Sequence, residues 1–310
     1  MKAKKALILA LLAYAILSLA CKYIVLPEGL ETQEVEEDGS GPKVWNGVVT
    51  NVSKSEAGDL HIDLAIRNDT RDWSRMEAVP EKAAVLTGGD GKTTQCETVY
   101  VGTGGHRLAP GFQMRGYTTG AMEAPTTQPL YVECKGAEAT PGSTLTIDYA
   151  SYGGELDDYD PEANKTEGVL ELKLDEVVTD LSYPIAAPVE GLILQPGTEI
   201  TGLSDNVVTL LDAARTDTGF QFTWQNFNPT KFPLKTHIGI PPVIGADGII
   251  YGPYETIDLA PIPITAANGK VEWTTDVVVP EDGTGFYILL SVESKKPRTY
   301  LNYVIDISDK

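Results

Sequence analysis

An acidic stretch near the middle of the chain places oxygen-bearing side chains at alternate positions. These side chains belong to Asp158, Asp160, Glu162 and Asn164. Hard oxygen ligands at such positions are what Ca²⁺ requires, so the pattern predicts a weak calcium site. The stretch departs from the helix-loop-helix calcium loop, because Ala163 stands where that loop has its glycine and Val169 where it has its last carboxylate. The simpler alternative is a solvated acidic loop between two strands.

Tyrosines flank this acidic loop and a later Asp-Gly turn. They are Tyr152, Tyr159, Tyr251 and Tyr254. Exposed tyrosine rings can stack on sugar rings or anchor a contact with a protein. We therefore predict that these residues contact a ligand, with the alternative that their rings close the ends of a β-sandwich.

The chain carries no motif of a known catalytic class. It has three histidines, His61, His106 and His237, and it lacks the HExxH, GxSxG and CxxC patterns. His106 follows a glycine-rich loop, but a phosphate cradle needs a helix after that loop, so a turn is the simpler interpretation. We predict a protein that is not an enzyme and that binds no cofactor, weak calcium apart.

The charge balance limits the classes of partner. There are 44 acidic and 24 basic residues, and the formal net charge is −20. Nucleic acids require basic patches on the proteins that bind them, so this balance argues against nucleic acid as a partner.

The cysteines divide into one near the start and a later pair. In an exported protein, Cys96 and Cys134 form an even pair and are expected to be joined by a disulfide. Closing that loop of about 38 residues would stabilise the folded chain by about 4 kcal/mol in the chain-entropy model. The alternative is two buried thiols.

The first 26 residues have the pattern of an export signal. Lys2, Lys4 and Lys5 precede an uncharged run from Ala6 to Ala20, which ends at Cys21. A basic start, an apolar run and a small residue before the break are typical of such signals. The chain beyond them is therefore expected outside the cytoplasm.

Residues 17–21, LSLAC, resemble the lipobox of bacterial lipoproteins, in which the chain is cut before the cysteine and lipid is attached to its sulfur. Ser18 stands where that family has leucine. The run Ala6–Leu26 spans 21 residues when Lys22 is counted, close to the roughly 20 that cross a bilayer. Lipidation of Cys21, a retained transmembrane helix with its lysines in the cytoplasm, and plain secretion stay open as alternatives.

Residues 27–43, PEGLETQEVEEDGSGPK, are acidic and rich in glycine and proline, and they predict a flexible linker.

After the linker, apolar residues recur at every second position in Leu60–Arg67, Val169–Asp175 and Phe220–Trp224. Such alternation indicates strands with one buried face. Asp-Gly and Pro-Gly turns separate many short strands, and no long amphipathic helix pattern follows the leader, so the sequence predicts β-sandwich domains.

The two halves look like versions of one unit. In each half a strand runs into an Asn-x-Thr turn, at Asn68–Thr70 and at Asn228–Thr230. In each half a second strand then leads into an Asp-Gly hairpin, at Asp90 and at Asp247. The sequence therefore predicts an internal duplication.

This order of elements resembles the telokin-like, immunoglobulin-like domains of bacterial lipoproteins. The resemblance rests on IDLAIRNDT at 62–70, AVLTGGDGKT at 84–93, RLAPGFQMRGYTT at 107–119 and PLYVEC at 129–134. The second half matches less well, since its Pro-Gly step is not evident. The resemblance implies a non-enzymatic extracytoplasmic module and transfers no functional residue.

Together these features predict an all-β fold, with two tandem immunoglobulin-like β-sandwich domains after an N-terminal signal or anchor segment. The expected division is 1–26 signal peptide or anchor, 27–43 linker, 44–181 first domain and 182–310 second domain. The expected function is non-catalytic binding or structure at a bacterial cell surface, with the membrane and an unknown protein or glycan as partners. A carbohydrate-binding or carbohydrate-active protein and a calcium-stiffened adhesin are the alternatives.

Overall fold

The computed structural model describes residues 44–70, 72–79, 84–120, 125–153, 165–181, 193–201, 205–235, 241–252, 264–293 and 300–310. Residues Lys43–Lys310 form one compact unit. Within the described ranges the structure is all-β, with several sheets and no α-helix, as the alternating sequence pattern predicts. None of the described residues belongs to a helix long and apolar enough to cross a membrane.

Among the described residues, twelve strands lie in the first half of this unit. They are β1 (Trp45–Lys54), β2 (Leu60–Asn68), β3 (Arg75–Ala78), β4 (Ala84–Thr87), β5 (Thr93–Cys96), β6 (Thr98–Tyr100), β7 (Gln113–Met114), β8 (Gly116–Thr119), β9 (Thr126–Pro129), β10 (Tyr131–Cys134), β11 (Thr144–Tyr152) and β12 (Lys165–Lys173). The predicted strand Val169–Asp175 thus begins and ends earlier, as β12.

In the second half the described ranges contain eleven strands. They are β13 (Ile193–Leu194), β14 (Glu199–Thr201), β15 (Val207–Thr216), β16 (Gly219–Phe227), β17 (Leu234–Lys235), β18 (Val243–Ile244), β19 (Ile249–Tyr251), β20 (Ile264–Thr265), β21 (Lys270–Val278), β22 (Tyr287–Glu293) and β23 (Tyr300–Asp306).

Each half contributes two sheets to a sandwich-like arrangement. In the first half one sheet has the order β1-β2-β10-β6, with β7 also paired to β2, and the other has the order β12-β11-β4-β5, with β3 paired to β11. In the second half one sheet runs β14-β15-β16-β21, and β18, β19, β22 and β23 lie in the other. A two-stranded ribbon, β17-β20, stands apart from them.

Strand pairing repeats between the halves down to single residues. β1 pairs antiparallel with β2, and the register shifts between Val49 and Asn51. β15 pairs antiparallel with β16, and the register shifts between Leu210 and Asp212. An extra residue in one strand is a β-bulge, which fixes the local bend and twist. The same bulge at the same point of two hairpins supports the predicted duplication.

The two Asp-Gly hairpins are also built alike. The Asp90 Oδ1 atom accepts a hydrogen bond from the N–H of Lys92 at 3.0 Å. The Asp247 Oδ1 atom accepts one from the N–H of Ile249 at 3.0 Å. An aspartate that bonds the backbone two residues on forms an Asx turn. The sequence pattern indicated a turn at both places.

The second half does contain a counterpart of the Pro-Gly step, although the sequence does not show it. The turn around Gly111 has the N–H of Phe112 bonded to the carbonyl of Ala109, and the turn around Asn268 has the same bond between Gly269 and Ala266. Gly111 has φ +81° and Asn268 has φ +50°. Asparagine tolerates the left-handed conformation better than other side chains do, so it replaces the glycine.

One element breaks the repeat. In the second half β21 pairs with β16 along its whole length. In the first half β2 pairs with β7 near one end and with β10 near the other. Between them the chain leaves the sheet as the hairpin β8-β9, and β8 pairs in parallel with β19 of the second half. The resulting sheet has seven strands, in the order β13-β23-β22-β18-β19-β8-β9.

This seven-stranded sheet is covered on both faces. Val243, Ile249 and Ile288 belong to the apolar cluster of the second half, whereas Ile244 and Ile250 belong to the cluster of the first half. Strands buried on both faces have near-continuous apolar sequences, as β22 does. The predicted boundary near residue 182 lies outside the described residues, so the division at 181 and 182 stays a prediction.

Candidate functional site

The predicted disulfide between Cys96 and Cys134 is confirmed. The two Cα atoms are 4.1 Å apart, and both residues are fully buried. Cys96 ends β5 in one sheet and Cys134 ends β10 in the other, so the bond joins the two sheets of the first half.

His61 sits between two carboxylates on the outer face of β2. Its Nδ1 atom lies 3.0 Å from Glu133 Oε1, and its Nε2 atom lies 3.0 Å from Asp63 Oδ1. Asn51 donates from Nδ2 to the other oxygen of Asp63 at 2.9 Å. Both ring nitrogens are therefore engaged by protein oxygens, and the described residues contain no group of three or more His, Cys, Asp or Glu side chains arranged to hold a metal ion.

An aromatic stack continues from His61 across the sheet. The His61 ring stacks on Tyr131 with centroids 4.8 Å apart, and the Tyr100 ring packs on Tyr131 at 5.0 Å with a tilt of 31°. The two neighbours cover the faces of Tyr131, whereas Tyr100 is 50% exposed. Tyr100 is the ring of this stack that presents the most surface to a ligand.

A cavity of about 550 Å³ opens beside Tyr100. Its deepest part is lined by buried apolar residues: Ala84, Val101, Leu130 and Ile147. Its outer part is lined by polar and aromatic side chains: Arg75, Glu77, Glu97, Tyr100, Tyr117 and Asp148. An apolar floor with a few polar groups around it is typical of a ligand site.

Among the described residues that line the cavity, Arg75 is the single cation, and its guanidinium group already has partners. Arg75 Nη1 lies 3.6 Å from Glu77 Oε1, and the guanidinium carbon lies 4.6 Å from the centre of the Tyr152 ring. The Nε atom of Arg75 is buried and has no hydrogen-bond partner among the described residues. Tyr152, a predicted ligand contact, therefore positions Arg75 and is not itself among the lining residues.

Tyr251 does not present the exposed ring that its place beside the Asp-Gly turn suggested. It is 5% exposed in β19, and its hydroxyl donates to Asp247 Oδ2 at 2.5 Å. Burial, and then the hydrogen bond to Asp247, raise the pKa of the Tyr251 hydroxyl above its ordinary value. The expected exposure of this ring is wrong, because β19 is covered on both faces and the ring lies in the core. The predicted ligand contact stays a prediction. Tyr251 also lines a second cavity of about 550 Å³, together with Asp63 and Arg115.

His106 closes the glycine-rich loop as a turn, since its N–H donates to the carbonyl of Thr103 at 3.0 Å. Its ring lies edge-on to Tyr117 at 6.2 Å. Burial lowers the pKa of His106 to about 4.

The remaining predicted residues lie outside the described part of the chain. They are the lipidation candidate Cys21, the calcium candidates Asp158, Asp160, Glu162 and Asn164, and the ligand candidates Tyr159 and Tyr254.

Sequence reasoning missed the lining residues Glu97, Tyr100, Tyr117 and Asp148. They come from β5-β6, β8 and β11, which lie far apart in the chain, so no local motif joins them. The available signal was Tyr100 itself, a large aromatic residue next to the Gly102–Gly105 loop, where backbone turns open a surface.

Comparison with known proteins adds little. No family model matches the chain, and no curated protein matches it. Among solved structures, the E. coli chaperone DraB is similar with 12% identity and a TM-score of 0.19, over 85% of this chain and 94% of that one. Red sea bream transglutaminase is similar with 10% identity and a TM-score of 0.21, over 90% of this chain and 34% of that one, so this chain spans about a third of it. At these TM-scores neither likeness bears on the fold or the function of this chain.

Proposed function

We propose that this protein is a non-catalytic binding or structural module held at the extracytoplasmic face of a bacterial membrane. In this proposal residues 1–26 provide the signal or anchor and residues 27–43 the linker. Residues 44–181 and 182–310 form two tandem immunoglobulin-like domains, related to the telokin-like domains of bacterial lipoproteins. The partner is a protein or a glycan.

The observation that carries the proposal is the Cys96–Cys134 disulfide. Disulfides persist in oxidising compartments and are rare in the cytoplasm, where thiols are kept reduced. An export signal that ends near Cys21 would deliver the chain to such a compartment. The disulfide and the export-signal pattern are independent features, and both favour an extracytoplasmic location.

The repeated pairing supports the tandem arrangement. The bulged hairpins β1-β2 and β15-β16, and the Asp-Gly hairpins after β4 and β18, have the same registers in both halves. A sandwich with a disulfide between its sheets is also the plan of many cell-surface domains.

The experiment is an intact, non-reduced mass measurement on the protein extracted from its own membranes. A chain that begins at a diacylated or triacylated Cys21 would support lipid anchoring, and a chain that begins at Met1 would support a retained helix. The disulfide would make the chain two hydrogens lighter than the sum of its residues. A chain that begins at Met1 and has free thiols at Cys96 and Cys134 would overturn the proposal.

A further inference from the structure

We propose that the cavity beside Tyr100 binds a lysine or arginine side chain of a partner protein. The inference rests on the proposed binding function and names the chemistry of its ligand. It uses three properties of the cavity lining: an apolar floor, two carboxylates that have no partner among the described residues, and tyrosine rings.

The floor suits an alkyl chain. The lining includes the partly buried Ala78, Val79 and Val99 beside the fully buried Leu130 and Ile147. Lysine and arginine carry long alkyl stems that pack on apolar surface while the charged group stays near polar atoms. A short or purely polar side chain would leave this floor without contact.

The charges favour a cation. Arg75 and Glu77 face each other at 3.6 Å and offset one another. Glu97 and Asp148 also line the cavity, and within the described part of the chain neither side chain forms an ion pair or a hydrogen bond. A cationic group beside either carboxylate would form charge-assisted hydrogen bonds, which are stronger than neutral ones.

The rings at the opening add to this preference. Tyr100 and Tyr117 line the cavity, and Tyr100 is half exposed. Ammonium and guanidinium groups are attracted to the faces of aromatic rings. The net charge of −20 steers basic partners toward the protein and repels acidic ones.

A titration followed by methyl NMR tests the proposal on the full chain in a nonionic detergent. The reporters are the methyl groups of Leu130 and Ile147 on the cavity floor. The probe is N-acetyl-lysine N-methylamide, and the matched probe is the norleucine derivative, which has the same stem without the ammonium group. We expect the lysine probe to shift these methyl signals with an affinity about fivefold higher, the worth of one good charge contact.

Variants then assign the effect to the two carboxylates. Glu97→Gln with Asp148→Asn should bring the lysine probe to within about twofold of the norleucine probe. Glu171→Gln removes one acidic charge from the exposed side of β12, outside the cavity, and should leave the preference unchanged. The methyl spectrum itself shows whether each variant is folded, and the single variant Glu97→Gln, at an exposed position, provides a milder second test.

Four results would overturn the proposal. The first two are equal affinity of the protein for the two probes and no shift at either methyl group. The third is a loss of the preference for lysine in Glu171→Gln that equals the loss in the Glu97→Gln, Asp148→Asn variant. The fourth is a shift of the same methyl signals by glucose but not by the lysine probe. The mass measurement does not depend on this titration. If the chain is lipidated but does not bind the lysine probe, the proposed cavity site is wrong and the proposed function still stands.

Discussion

At the scale of single residues, two buried asparagines hold the turns that end the equivalent strands β2 and β16. The Asn68 side chain donates to the carbonyls of Asp72 and Leu108, and its Oδ1 accepts from Thr70. Asn228 makes the corresponding bonds at its own turn, to Phe232, Thr265 and Thr230. Replacing either asparagine leaves several buried backbone groups without a hydrogen-bond partner at once.

We therefore expect Asn68→Ala and Asn228→Ala each to lower the free energy of unfolding by about 2–4 kcal/mol. Urea unfolding followed by tryptophan fluorescence measures this. Asn51→Ala is the control, because Asn51 is exposed and its side chain bonds only Asp63 among the contacts described, so its cost should stay below about 1 kcal/mol. Equal losses of stability in Asn51→Ala and Asn68→Ala would contradict the proposed role of Asn68 in holding its turn.

The lowered pKa of His106 predicts a dependence of stability on pH. An unfolded histidine takes up a proton near pH 6.5, whereas folded His106 does so only near pH 4. As the pH falls through this window the unfolded chain gains a proton that the folded chain lacks, so stability is lost, and below it the loss is complete. The full effect is about 3 kcal/mol.

Between pH 7 and 4.5, the His106→Gln variant should accordingly lose about 2 kcal/mol less stability than the unmodified chain. Urea midpoints at the two pH values give the comparison. The carboxylates titrate in both proteins and cancel in the difference. Equal losses would show that His106 is protonated in the folded chain.

Single residues also show what the sequence alone could predict. The Asn-x-Thr turns and the cysteine pair were recognisable, because their chemistry is local or follows from parity. Tyr251 was misjudged, because its ring is buried in the apolar cluster of the second half, which forms only when strands distant in the chain pack together. The cavity lining was missed for the same reason, since Glu97 and Asp148 line one cavity only after distant strands have paired.

At the scale of elements, the turn around Gly111 and its counterpart around Asn268 differ in one useful respect. Both residues have positive φ, which glycine adopts freely and asparagine adopts at some cost. Asn268→Gly should therefore be neutral or slightly stabilising, and Gly111→Ala should destabilise by about 1 kcal/mol or more. Thermal unfolding of the two variants tests this pair, and a destabilising Asn268→Gly would indicate that the asparagine side chain is needed.

The strands that alternate clearly were predictable from sequence, and the inserted hairpin was not. Leu60–Arg67 was predicted and β2 is Leu60–Asn68; Phe220–Trp224 was predicted within β16. β8 and β9 read GYTT and TTQP, which are short and polar. β8 is held by parallel pairing with β19, a partner more than a hundred residues away, and no local pattern encodes such a contact.

At the scale of the whole molecule, the hairpin β8-β9 and the doubly covered sheet tie the two halves together. Thr118 of β8 is buried, its hydroxyl donates to the carbonyl of Ile250, and it accepts from the N–H of Gly252. Phe112 of the first half lies edge-on to Tyr287 of the second at 5.4 Å. An apolar contact of this kind couples the unfolding of the parts that share it.

We expect one cooperative thermal transition for residues 44–310 of the full chain, with equal calorimetric and van't Hoff enthalpies. Ile250→Ala creates a cavity on the sheet face that packs against the first half. Ile305→Ala creates a cavity on the face that packs against the second half. Each should lower stability by about 2–5 kcal/mol and shift that single transition. If the halves unfolded independently, two transitions would appear and Ile305→Ala would move only one. The single transition is expected because β18, β19, β22 and β23 cannot separate from either core without exposing the apolar residues of both faces.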